Sequence, residues 1–332
     1  MKSKTLRKAN AQALMNLLVN TTNKDVCEQI AKMTNYVDDD LCIICCYQLI
    51  KSSSQNEEHG NLQYLTNEKA FWIRIKRILT IERPKNDVNL ISFLCMHHDI
   101  PLDFTKLIFA LVISLCQSQN IALLKRNQSM LMKCKLLPFC ELMMSSYPEE
   151  VLHTIEICTL ESKENQLAFG RSKILLQQIK SVLQQHFTSA LKSLINISSG
   201  NEVAVESLLS EIEIELIYDK LSLAQGSQLS LILGFLLNIL EFRLVANLES
   251  IIDDILGIYE HVNDENTVEM TNAFLIEILL LYCCKYRLIT ILKVRDHIRI
   301  ENTLQGINTL VKMGNRRWEG MQRLAIEITE ML

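Results

Sequence analysis

The stretch that decides the fold is SLILGFLLNILEF, residues 230–242. Its apolar run extends from Leu229 to Leu240 and stops at Glu241. The run is therefore shorter than the roughly 20 residues that a helix needs to cross a bilayer. A helix that is apolar nearly all round, yet too short to span a membrane, is typical of a core surrounded by other helices. The stretch predicts a buried core helix.

The rest of the chain favours the same structure. Of its 332 residues, 48% are hydrophobic, which is enough for a large core, and only four are proline and nine glycine. No proline follows Pro148, so the second half has few strong helix breaks. Apolar residues recur at helical spacing, as at Leu191, Leu194 and Ile195, and the one short alternating run, Glu211 to Leu216, has flanks that favour helix. These patterns predict an all-α protein.

An internal repeat surrounds the deciding stretch. The segment SALKSLINISSGNEVAVESLL, residues 189–209, matches ILGFLLNILEFRLVANLESII, residues 232–252. Leu194-Ile195-Asn196-Ile197 aligns with Leu236-Leu237-Asn238-Ile239, 42 residues later, and residues 12–30 form a looser third copy. This period lies in the range of about 40–47 residues that HEAT and armadillo repeats show. The sequence thus predicts an all-α, right-handed helical-repeat stack of HEAT/armadillo-like type.

The repeat also leads to predictions about lobes and individual residues. The turn chemistry near Pro148 divides the chain into an N-terminal helical lobe, residues 1–147, and a C-terminal HEAT-like lobe, residues 148–332. Asn196 and Asn238 are predicted to hydrogen-bond to the backbone of an adjacent inter-helix turn, because buried amides need partners. Gly234 is predicted to let a neighbouring helix approach closely.

The sequence offers no catalytic or metal-binding pattern. Eleven cysteines lie mostly at apolar helical positions, and Cys42, Cys45 and Cys46 form a helical stripe that favours core packing over zinc binding. His97 and His98 precede a predicted helix end, where a structural or solvated role is favoured. Glycine-rich phosphate loops and GxSxG or HExxH motifs are missing from the sequence. We expect a protein that is not an enzyme and that uses no cofactor.

The distribution of charge along the sequence identifies the candidate binding residues. The net charge of −4 predicts no general affinity for nucleic acid or for an anionic membrane. Basic and apolar residues alternate, however, in AFWIRIKRILTIERPK, residues 70–85, and a basic-aromatic cluster precedes Trp318. A basic amphipathic helix can bind an acidic protein partner, RNA or a membrane surface, and the net charge favours the protein partner among these. The structural interpretations, a solvated helix face for the first cluster and a helix start for the second, are favoured over binding. The candidate partner-binding residues are Trp72, Arg74, Lys76, Arg77, Arg83, Lys85, Arg316 and Arg317.

Two helices of the repeat resemble a known family. Residues 189–209, followed by LSLILGFLLNILEFRLVANLES at 229–250, are similar to the conserved C-terminal domain of the Wapl cohesin-release factors, where an AL-x-NL helix precedes an LGLLINLVE-type helix. FLIEILLLYCC, residues 274–284, corresponds to another leucine-rich helix of that domain. The resemblance covers residues 189–332 and is carried by leucine-rich motifs. The acidic insertion of animal members and the Phe-Gly-Phe-like N-terminal region are missing, so the chain resembles a compact fungal-type member or an excised domain.

The resemblance implies a non-enzymatic module that binds the cohesin complex and promotes its release from DNA. Its expected partners are the cohesin SMC ATPase head, the kleisin subunit and the HEAT-type cohesin regulators, with no sequence-specific nucleic acid and no membrane. A nuclear location follows from the resemblance, and residues 1–18 lack the pattern of a signal peptide, so we expect an intracellular protein. The alternatives are a HEAT/armadillo adaptor for another cargo, such as a transport or assembly factor, and a helical enzyme.

Overall fold

The computed structural model describes residues 43–48, 60–80, 103–118, 120–243, 248–262, 267–286 and 305–308, with single positions at 13, 16, 322, 323, 326 and 330. Helices dominate these residues, which contain no β-strand. Helices α1 to α7 are Gly60–Asn67, Lys69–Leu79, Phe104–Leu115, Ile121–Lys133, Leu136–Met143, Pro148–Thr159 and Lys163–Gly170. Helices α8 to α11 are Lys173–Val182, Phe187–Ser198, Glu202–Glu211 and Glu215–Tyr218, and a 3-10 turn, Leu221–Leu223, follows. Helices α12 to α14 are Gly226–Leu240, Leu248–His261 and Thr267–Lys285.

Local chemistry explains where several helices begin. The side chains of Asp103, Asn120, Ser172 and Asn201 accept hydrogen bonds from backbone N–H groups in the first turns of α3, α4, α8 and α10. These caps satisfy donors that would otherwise lack a partner inside the helix. Pro148 begins α6, where its missing N–H costs nothing.

The chain folds as two compact units, residues 1–169 and 170–332. In the first unit, the Tyr147 hydroxyl donates to Asp103 Oδ2 at 2.9 Å, and Cys116 Sγ lies 3.7 Å from Cys158 Sγ. The first contact joins the starts of α3 and α6 and the second joins their ends, so the two helices run parallel. Residue 147 lies inside this unit and not at its border, because α6 packs on α3.

The second unit stacks three parallel helices, α9, α12 and α14. Asn238 Nδ2 of α12 donates to Ile195 O of α9 at 2.8 Å, and Asn272 Nδ2 of α14 donates to Gly226 O of α12 at 3.1 Å. The Tyr286 hydroxyl, just after α14, donates to Leu240 O at 2.9 Å. These contacts link residues 43 to 46 positions apart, close to the 42-residue offset in the sequence. The prediction of an all-α helical-repeat stack is confirmed.

The deciding stretch is a core helix, as predicted. Helix α12 lies between α9 and α14, and its residues Leu236 to Leu240 are all buried. Asn238 hydrogen-bonds to a backbone carbonyl, as predicted, but this carbonyl belongs to Ile195 in the last turn of α9 and not to an inter-helix turn. Asn196 is half-buried. The prediction for Gly234 is wrong, because no atom lies within 4 Å of the position that a Cβ would occupy there. The close approach occurs at Gly170, where an added Cβ would lie 2.7 Å from Ala204 Cβ.

Helix α14 is long and apolar enough to cross a membrane. Most residues in its second half, including Tyr282 and Cys283, are nevertheless buried inside the second unit. It also carries the buried Glu277, which accepts a hydrogen bond from the Tyr259 hydroxyl at 2.7 Å. These contacts are those of a core helix in a helical stack.

Candidate basic interface

Helix α2 contains the first predicted cluster and separates its residues into two faces. Phe71, Trp72, Ile75 and Leu79 are buried, and Trp72 is only 5% exposed. The Trp72 Nε1–H donates to Thr66 O at 2.7 Å, and the indole packs edge-on against Phe71. Trp72 is therefore a core residue of the first unit and does not present its ring to a partner.

The basic residues of α2 lie away from this core. Lys76 and Arg77 are exposed, and Arg74 is half-buried. Lys69, the first residue of the helix, is also exposed, and Ile73 is 61% exposed on the same side. Ile73 follows Lys69 by four residues and precedes Arg77 by four, so the three side chains share one helical stripe. The other predicted residues, Arg83, Lys85, Arg316 and Arg317, lie outside the described residues.

Helix α4 packs beside α2 and adds further positive charge. Arg126 donates from its guanidinium to Asn67 Oδ1 and, at 3.2 Å, to Thr66 O. Cys134, which follows α4 directly, donates from Sγ to Trp72 O at 3.4 Å. The first contact joins α4 to the end of α1, directly before α2, and the second joins the end of α4 to α2, so α4 packs beside α2. Lys125, Arg126, Lys133 and Lys135 are exposed on α4 or directly after it. We call the exposed basic residues of α2 and α4, together with Lys135, the basic surface.

The lysines of the basic surface are not neutralised within the described part of the chain. Elsewhere, Lys106 and Lys180 form ion pairs of 2.7 Å with Glu150 and Glu213, and Lys173 lies 3.7 Å from Glu211. Lys220 and Lys285 lie over aromatic rings. Seven of the described lysines have neither an ion pair nor an aromatic ring beneath the ammonium group among the described residues: Lys69, Lys76, Lys125, Lys133, Lys135, Lys163 and Lys192. Five of the seven belong to the basic surface, and Glu68 is the sole acid in residues 67–79 and 120–135.

Sequence reasoning missed the contribution of α4. The three basic residues of α4, together with Lys135 directly after it, are spread over residues 125–135 without an aromatic neighbour, so no basic-aromatic cluster marks them. The available signal was the absence of any acid from residues 120–135, combined with the Lys125-Arg126 pair. Only the packing of α4 beside α2 shows that the two sets of charges belong to one surface.

Two buried thiols of the first unit, those of Cys134 and Cys140, are unsuited to nucleophilic chemistry. Burial raises the pKa of Cys134 to about 11, although the neighbouring Lys76 charge lowers it. Burial also raises the pKa of Cys140 well above its usual range. Such thiols stay protonated near neutral pH, and the thiolate is the reactive form. Cys45 and Cys46 are buried as predicted, while Cys42, His97 and His98 lie outside the described residues.

A groove of about 400 Å³ lies in the second unit, between α8 and residues 213–216. Lys180 and Glu213 line it and form the ion pair described above, and Gln177 Nε2 donates to Glu211 Oε2 at 3.0 Å. Its polar groups thus pair with one another. In the part of the chain that the structure describes, no three His, Cys, Asp or Glu side chains are grouped to hold a metal ion.

Comparison with known proteins gives no functional relative. No protein-family model and no curated protein matches the chain. Among solved structures, the chain is similar to an engineered protein whose crystal structure was a structural-genomics target, with a TM-score of 0.49 and 11% sequence identity. The match covers 96% of this chain and 88% of that one.

Proposed function

We propose that this chain is a non-enzymatic protein-interaction module that binds its partner through the basic surface. The observation that carries the proposal is the set of five lysines without an ion-pair partner among the described residues. In a protein with a net charge of −4, they gather on two adjacent helices of one unit. Helical-repeat proteins commonly use extended surfaces of this kind for binding.

Local structure explains only some of these charges. Positive side chains are favourable at the C-terminal end of a helix, which accounts for Lys76 and Arg77 in α2 and for Lys133 in α4. Lys69, by contrast, is the first residue of α2, where the helix dipole opposes a positive charge. Binding of an acidic partner to this surface is favourable, because the partner's carboxylates can pair with these charges.

The resemblance noted in the sequence makes cohesin the first partner to test. In this proposal the chain binds the SMC ATPase head with its kleisin segment, or a HEAT-type cohesin regulator, and promotes release of the ring from DNA. The second candidate function is that of an adaptor for another cargo, in transport or in assembly. The same helical-repeat fold and the same basic surface favour it equally, because a fold does not determine a partner.

Binding of the purified chain to a cohesin ATPase head that carries its kleisin segment tests the proposed partner. The measurement is surface plasmon resonance over a range of salt concentrations, with an unrelated acidic protein as control. We expect binding to the head that persists at moderate salt, while the acidic control loses its weaker, purely electrostatic binding. Absence of binding to the head and to the HEAT-type subunits would overturn the cohesin proposal and favour the adaptor.

A further inference from the structure

We infer that the basic surface binds an acidic amphipathic segment of a partner protein, with an apolar side chain of that segment covering Ile73. The inference rests on the proposed function and specifies the chemistry of the partner. It combines three features of α2 and α4: the lysines that form no ion pair with another described residue, the exposed Ile73 among them, and the burial of Phe71, Trp72, Ile75 and Leu79.

The first step concerns the charge of the partner. Lys69, Lys76 and Arg77 surround Ile73 on α2, and Lys133 and Lys135 flank Cys134 at the end of α4. Cys134 hydrogen-bonds to Trp72 O and lies within the electrostatic influence of Lys76, which brings the end of α4 against the middle of α2. Several carboxylates spaced along one segment complement this arrangement, because each can pair with a different ammonium group.

The second step distinguishes a protein segment from nucleic acid. Ile73 is 61% exposed at the centre of the charged stripe. A phosphate backbone offers nothing apolar to cover it, whereas a leucine or phenylalanine on an acidic helix does.

The exposed face of α2 is unsuited to insertion into a membrane. Basic amphipathic helices that lie in a membrane bury a broad apolar face among the lipids. The broad apolar face of α2, formed by Phe71, Trp72, Ile75 and Leu79, already packs in the protein core. Ile73 is one exposed side chain and suits a single apolar contact.

Fluorescence anisotropy with a labelled peptide tests the inference. The probe is a helical peptide with glutamates along one face and two leucines one turn apart. A second peptide replaces the leucines with serines, and a third replaces the glutamates with glutamines. We expect the full chain to bind the first peptide about tenfold more tightly, or better, than either of the others. The serine peptide lacks the apolar contact with Ile73, and the glutamine peptide lacks the ion pairs with the lysines. Equal binding of the leucine and serine peptides would overturn the role of Ile73.

Variants of the chain locate the binding site. Lys69→Glu with Lys133→Glu is expected to weaken binding of the first peptide about tenfold or more. The matched control is Lys163→Glu with Lys192→Glu, which makes the same change in net charge at exposed lysines that also lack ion pairs. Ile73→Ser is expected to reduce binding of the leucine peptide and to leave binding of the serine peptide unchanged. Equal loss in both double variants would show nonspecific charge attraction and overturn the inference.

Two further probes test whether the basic surface binds other polyanions more tightly than the first peptide. Duplex DNA and vesicles of anionic phospholipid are titrated under the same conditions, and tighter binding of either, sensitive to Lys69→Glu with Lys133→Glu, would contradict the inference. These results can be told apart from those of the cohesin experiment. Binding to cohesin without binding to the first peptide would contradict the acidic amphipathic segment but not the cohesin partner. Specific binding to the first peptide without binding to cohesin would contradict the cohesin partner but not the acidic amphipathic segment.

Discussion

The buried amide of Asn238 connects two helices of the second unit. Its Nδ2 donates to Ile195 O at 2.8 Å and to Ser198 Oγ at 3.0 Å, both in the last turn of α9. Carbonyl groups at the end of a helix lack partners within that helix, so a side chain from the next repeat supplies one. The same arrangement occurs in the first unit, where Asn127 Nδ2 of α4 donates to Leu115 O at the end of α3 at 2.8 Å.

Replacing this amide tests its structural role. Asn238→Leu removes the hydrogen bonds of a buried amide to Ile195 O and Ser198 Oγ, and we expect it to lower the free energy of unfolding by about 1–3 kcal/mol. The free energy is measured by urea denaturation followed by circular dichroism. The control, Gln184→Leu, changes an exposed side chain and is expected to alter stability by less than about 0.5 kcal/mol. An Asn238→Leu protein as stable as the wild type would show that the hydrogen bonds contribute nothing.

At the scale of elements, two glycines have opposite roles in helix packing. Gly170 at the end of α7 faces α10, where an added Cβ would lie 2.7 Å from Ala204 Cβ and 3.2 Å from Ile197 Cγ2. Gly234 lies inside α12 and has no atom within 4 Å of an added Cβ. The first position requires glycine for close packing, and the second has no such requirement.

Alanine at each position tests this difference. In Gly170→Ala the added Cβ overlaps with Ala204 inside the second unit, and we expect a loss of about 1–3 kcal/mol of stability from overpacking. Gly234→Ala is expected to raise stability by about 0.5–1 kcal/mol, because alanine favours the helical conformation more than glycine does. Thermal denaturation of both variants shows the signs of the two changes. Destabilisation by Gly234→Ala would contradict the open environment of that residue.

At the scale of the whole molecule, the sequence was sufficient for the fold class. Helical periodicity, the scarcity of proline and glycine, and the 42-residue repeat all predicted the all-α stack. The repeat period follows directly from packing, since each helix of the α9, α12 and α14 layer contacts the equivalent helix of the next repeat. The exact border of the first unit was not predictable in this way, because the packing of α6 on α3 is a tertiary contact.

The candidate binding surface was predicted only in part. Alternation of basic and apolar residues identifies α2, but it does not show which aromatic residue enters the core. It therefore predicts Trp72 as a contact residue, although Trp72 is buried. The charges of α4 are far from those of α2 in the sequence and meet them only through the contacts of Arg126 and Cys134. A binding surface built from two helices is a property of tertiary structure.

Hydrogen exchange measured by mass spectrometry, with and without the cohesin ATPase head and its kleisin segment, tests whether α2 and α4 form the binding face of the chain. We expect slower exchange in peptides covering residues 69–79 and 121–133 when the partner is present, and no such change for the Lys69→Glu, Lys133→Glu variant. Protection confined to other helices, or no protection at all, would contradict this binding face.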